Sequence, residues 1–70
     1  MNCPKQALFA MKRDMTVSKA DRQRAANVLT LITRVSDYIV SVDGLDVDTS
    51  KDYATLYELE SAAWQLIEKY

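Results

Sequence analysis

Asp46, Asp48, Ser50 and Asp52 stand at alternate positions, the spacing at which an EF-hand loop offers oxygen ligands to calcium. The position that needs a glycine is occupied by Lys51, and the twelfth position, where a bidentate glutamate belongs, is Tyr57. The match fails, and helix capping accounts for these residues instead. The chain has no histidine and one cysteine, Cys3, so the usual general base and the usual nucleophile–base pair are both missing. It has no glycine-rich phosphate loop and no Cys/His cluster with metal-ligand spacing. Carboxylates can move protons, but no spacing here sets two of them in an apolar cleft. The expectation is a protein that is not an enzyme and that takes no metal and no cofactor.

What chemistry the chain does carry is that of recognition. Phe9 projects on a helix among Lys5, Lys12 and Arg13, away from Leu8, Met11 and Met15, which places a ring among cations as on surfaces that stack bases and hold phosphates. With Lys19 and Arg22 these residues make a candidate nucleic-acid surface. The alternative is that Phe9 packs into an apolar groove over Leu29 or Val40 with cations at its rim. At the other end Asp43, Asp46, Asp48 and Asp52 form an acidic cluster able to enter a cationic groove on another protein, or else a set of solvated caps. Tyr53, Tyr57, Trp64 and Tyr70 exceed what a two-helix seam can cover and are residue types favoured as interface anchors; packing against the first helix is the alternative. Glu60 falls between Leu56 and Trp64 in the middle of an apolar arc, where a carboxylate needs a partner or an opening in the packing. Asp43, Asp46, Asp48, Asp52, Tyr57, Glu60 and Trp64 are the candidate partner-binding residues.

The two groups lie in halves of opposite charge. Residues 1–35 hold seven cations against two acids, +5, and residues 36–70 hold two cations against eight acids, −6, which together make the net charge of −1. Such polarity points to a charged partner or to self-association.

Three helical segments must position these residues. The first spans about 4–15, with Pro4 suited to a first turn and Leu8, Met11 and Met15 on one face. The second spans 19–43: Ser18 and Asp21 have the form of a capping box, and Gly44 supplies the left-handed geometry of a helix end. Within it Val28, Ile32, Val35, Ile39 and Val42 recur at spacings of four and three, the seam of a coiled-coil-like contact. The third spans 50–69 and has a wide apolar face of Tyr53, Leu56, Tyr57, Leu59, Ala63, Trp64, Leu66, Ile67 and Tyr70. The short link predicts an antiparallel hairpin with Val28 opposite Leu66, Ile32 opposite Ala63 and Val35 opposite Leu59. That register also puts Arg24 near the Tyr70 carboxylate and Arg34 beside Glu60; Lys19, Arg22 and Arg24, cations at the start of a helix, either pair with Glu68 and the chain terminus across the hairpin or contact an acidic partner.

Seventy residues with one glycine and one proline predict a single all-α domain, 1–70, in which a short N-terminal helix packs on a long αα-hairpin. This size is close to the lower limit for a core without disulfides or metals, so doubling into a dimeric bundle is also expected. The lone cysteine and the lack of a signal-peptide pattern predict a cytoplasmic protein, and no apolar run is long enough for a membrane span. The leading functional expectation is a small protein that binds and regulates or inhibits a larger protein complex, a class that includes phage- or plasmid-encoded inhibitors such as anti-CRISPR proteins. A nucleic-acid-binding module and a self-assembling structural protein are the alternatives.

Overall fold

The computed structural model describes residues 4–70, which form three helices: α1 (Lys5–Arg13), α2 (Lys19–Ser41) and α3 (Ser50–Lys69). Cys3 lies outside the described residues. Pro4 precedes the first helix with φ −71°, and its carbonyl accepts from the Leu8 N–H at 2.9 Å. Its ring needs no donor there, which is why proline suits a helix start.

α1 is shorter than its sequence pattern because Asp14 ends it. The Asp14 backbone turns extended, and its carboxylate accepts from the Thr16 N–H at 2.9 Å and the Thr16 hydroxyl at 2.6 Å. This local turn competes with helix continuation. Met15 is therefore not on the α1 face with Leu8 and Met11: it lies beyond the helix, 77% exposed, and its sulfur accepts from Arg22 Nη1 at 3.2 Å.

Ser18 caps α2 as the capping-box pattern requires, its Oγ accepting from the Asp21 N–H at 3.2 Å. The helix closes at Ser41, two residues before the expected end, and the chain turns through Gly44 at φ +83°. That value is in the left-handed region where glycine meets no Cβ penalty. At the start of α3 the Asp48 carboxylate accepts from the Ser50 N–H at 3.0 Å and from the Ser50 hydroxyl. Of the alternating acids, Asp48 thus bonds the start of α3, whereas Asp46 and Asp52 make no such bond among the described residues.

α2 and α3 pack as an antiparallel hairpin and α1 lies along it, more on α2 than on α3. Val28 and Leu66 line one hollow, as the register demands, and Asp21 lies 3.9 Å from Lys69 across the same end. Leu8, Met11, Ala25, Ile32, Ala63 and Leu66 form the buried core, with Val17, Val28, Leu29, Leu56, Leu59 and Ile67 packed against it. The core thus sits at the end that α1 covers. Val35, Ile39, Val42, Leu56 and Leu59, farther along the hairpin, are only half-buried. A nine-residue helix reaches about 14 Å and α2 about 35 Å, so α1 leaves the distal hairpin uncovered. Among the described residues no helix is long and apolar enough to cross a membrane.

The expected cross-hairpin ion pairs do not form. Arg24 Nη1 reaches Asp21 Oδ1 at 2.8 Å, and among the described residues Arg24 with the Tyr70 carboxylate, Arg34 with Glu60, and Glu68 with Lys19, Arg22 or Arg24 make no ion pair. A carboxylate three residues away on the same helix is already in reach, whereas a cross-hairpin pair must immobilise two long side chains. Arg22 instead donates from Nε to the Val17 carbonyl at 3.2 Å. Lys19, Arg22 and Arg24 stand near the positive end of the α2 dipole, and Asp21, an acid in the first turn, offsets that conflict.

Candidate partner-binding surface

α3 is twenty residues long and has more apolar surface than the core takes up. Ala63 and Leu66 point inward and are buried. At about 100° per residue Tyr53, Tyr57 and Trp64 fall together in a sector beside that inward face, with Glu60 at its edge. Tyr57 is 65% exposed and Trp64 38%, and the Tyr53 and Tyr57 rings lie 6.4 Å apart, tilted by 37°. The helix thus presents a row of rings beside its buried stripe. Tyr53 was legible by its four-residue spacing from Tyr57 and joins the candidate surface here.

Glu60 is half-buried and has no ion pair among the described residues. Its side chain stays partly open to solvent at the border of the aromatic row.

The four acids do not act as one cluster with the rings. Asp43, Asp46 and Asp48 are exposed in the turn between α2 and α3, beside the exposed Leu45 and Val47. Asp52 is half-buried in the first turn of α3, on the side that faces α2 and away from Tyr57 and Trp64. Asp48 is tied to Ser50, whose hydroxyl first and backbone N–H second hold its carboxyl below the ordinary carboxylate range. Among the described residues no three His, Cys, Asp or Glu side chains converge as a metal site would need.

The basic candidates gather elsewhere, on α1 and the start of α2. Lys12 Nζ lies 4.9 Å and the Arg13 guanidinium carbon 5.2 Å from the Phe9 ring centroid. Phe9 is 47% exposed and lines a shallow hollow with Lys5, Gln6 and Leu29. Lys12 lines another with Lys19, Arg22, Gln23 and Ala26. Phe9 thus sits beside Leu29 and among cations at once.

A third hollow, of about 370 Å³, is lined by Met11, Asp14, Thr16, Val17, Ser18, Asp21, Lys69 and Tyr70, where the end of α3 meets the α1–α2 turn. The Tyr70 hydroxyl donates to Asp14 Oδ2. The Thr16 hydroxyl first, then Tyr70 and the Thr16 N–H, lower the Asp14 carboxyl from the ordinary 3.8 to about 2. A depressed carboxyl pKa contributes stability that is complete above the unfolded value and is lost as pH falls through the folded one. The Asp14–Tyr70 tie is therefore expected to hold at neutral pH and to release as pH drops from about 4 toward 2. Carbon-detected NMR titration of Asp14 checks this: in Tyr70→Phe its midpoint moves up toward the ordinary value, and an unchanged midpoint would remove Tyr70 as a cause. The Arg24 guanidinium foremost, with Lys69 and Ser18 adding to it, likewise holds the Asp21 carboxyl down.

Compared with known proteins, the chain matches no family model, no curated protein and no solved structure.

Proposed function

We propose that this chain is a non-enzymatic protein that binds a larger protein complex and regulates it, as a small phage- or plasmid-encoded inhibitor does. The observation that carries the proposal is the row of exposed rings, Tyr53, Tyr57 and Trp64, on a helix whose opposite needs of packing are already met by Ala63 and Leu66. Exposed Trp and Tyr held on a rigid helix are the anchors from which interfaces draw most of their energy. The chain exposes 5212 Å². A compact protein of this mass is expected to expose about 4,450 Å². The difference is about the area one partner gives to a standard interface. Asp43, Asp46 and Asp48 at the tip add a charge that a cationic groove on the partner would complement.

Capture from lysate on the immobilised protein tests the proposal, with wild type run beside Trp64→Ala. A protein retained by the first and lost by the second supports it. Light scattering at low and high salt distinguishes the competing occupant: a dimer that Trp64→Ala dissolves would assign the rings to self-assembly and overturn the regulatory reading.

Glu60 separates binding from stability. Glu60→Leu removes a half-buried carboxylate from an apolar border and is expected to raise stability by about 0.5–1 kcal/mol. If the carboxylate serves the partner, the same change weakens capture. Denaturant melts and capture run in parallel read both signs, and a loss of stability would show that Glu60 holds the fold together.

A further inference from the structure

We infer that the groove between α1 and α2 binds the backbone of single-stranded nucleic acid, with Phe9 stacking on a base. The site is distinct from the α3 rings and does not depend on them. Lys5, Lys12, Phe9 and Arg13 occupy a sector of about 100° on α1. Lys5 and Phe9 meet Leu29 at one end of the groove, and Lys12 meets Lys19 and Arg22 at the other. Neither hollow is lined by an acid.

Charge segregation within the basic half is a tertiary result. Its two acids, Asp14 and Asp21, both turn to the end of α3 and line the hollow that holds Lys69 and Tyr70. The Asp14 carboxylate is bonded there to Thr16 and Tyr70, and the Asp21 carboxylate accepts from Arg24 and lies 3.9 Å from Lys69 Nζ. The cations on the α1–α2 side are left without a neighbouring carboxylate in their own groove. The acids of the distal tip lie beyond the far end of α2, about 18 Å of helix from Leu29 and about 33 Å from Lys19, which is about two to four Debye lengths of about 8–10 Å. They do not cancel the field at α1.

Phe9 decides which polyanion fits. Lys12 and Arg13 lie over the half-exposed Phe9 ring, and phosphates that draw these cations off it uncover a face on which a base stacks, the combination that single-stranded nucleic acid uses. An acidic protein surface has no base to stack there. Duplex bases are already stacked on one another, so the single strand is the better match.

Fluorescence anisotropy of a labelled single-stranded oligonucleotide of mixed sequence tests this on the full chain. Three neutralised phosphates predict about a twentyfold loss of affinity between about 50 and about 200 mM salt. Lys12→Glu with Arg13→Glu is expected to weaken binding at least about tenfold, and Lys19→Glu, on the other helix, about threefold or more. Circular dichroism confirms that each variant keeps its helix content, and Lys19→Glu carries the test if the double variant unfolds. Phe9→Ala is expected to weaken the oligonucleotide at least about fivefold and to leave heparin, which has no bases, unchanged. No binding at the lower salt, or binding indifferent to the charge reversals, overturns the inference. So does poly-glutamate competing as well as the oligonucleotide, or Phe9→Ala affecting oligonucleotide and heparin alike.

Discussion

Leu8→Ala is expected to cost about 2–5 kcal/mol, the range for emptying a leucine site in a closed core. A chain of this length has roughly 4–10 kcal/mol of stability in all, so the variant is partly or wholly unfolded at modest denaturant. The reason is specific to α1. A helix of nine residues is not stable by itself in water, so α1 exists because its inward residues dock on the hairpin. Leu8 and Met11 are its buried residues, Pro4 is buried just before it, and Leu8 has no exposed surface. Without the leucine, the docking contact that remains is the neighbouring Met11 and the proline ring. Ala25 and Ala63, which have no exposure either, lose their cover when α1 lifts. Urea melts of Leu8→Ala and of the exposed control Ala10→Ser check the claim. Equal midpoints would show that the hairpin folds without α1 and that the core lies elsewhere. Because α1 carries Lys5, Phe9, Lys12 and Arg13, a variant that melts α1 also loses the α1–α2 groove.

Tyr57→Ala combined with Trp64→Ala is expected to have the opposite profile, a loss of binding larger than the loss of fold. Anchor residues at an interface cost more than about 2 kcal/mol each when truncated, so the pair predicts a loss of partner affinity of at least about a hundredfold. Tyr57 is largely exposed, and its removal leaves no cavity. Trp64 is about three-fifths covered, so about 2 kcal/mol of stability goes with it. Affinity measured against the captured partner and thermal melts of the same samples give the two numbers. A melt lowered as severely as in Leu8→Ala, with affinity intact, would make the rings core residues and leave α3 without a docking role.

Much of the fold was legible because it is written in local chemistry. The Ser18–Asp21 capping box, the glycine at the turn, and the 4-3-4-3 spacing of Val28, Ile32, Val35, Ile39 and Val42 depend on residues a few positions apart. Each led to the correct helix or hairpin. The end of α1 was less legible. Periodicity carries Met15 onto the Leu8 face, but the Asp14 carboxylate finds the Thr16 N–H and hydroxyl and breaks the helix first. Periodicity also placed Arg24 and Arg34 within reach of acids across the hairpin. Side-chain entropy favoured Asp21, on the same helix, for Arg24.

The candidate surfaces divide along the same line. That Phe9 lies among Lys5, Lys12 and Arg13, and that Tyr53 and Tyr57 share a face of α3, follows from helical spacing. Where Asp14 and Asp21 turn, and whether Glu60 has a partner, does not follow, because each depends on which element lies next to it. The sequence by itself determined three amphipathic helices, an antiparallel hairpin and two oppositely charged halves, since these need only periodicity, caps and composition. The tertiary structure alone decided that α1 covers half of the hairpin, that both acids of the basic half are bonded toward the end of α3, and that a row of rings is left exposed. The reason is that docking one short helix on two long ones settles which apolar surface is buried and which carboxylates find a partner, and residues far apart in the chain decide both.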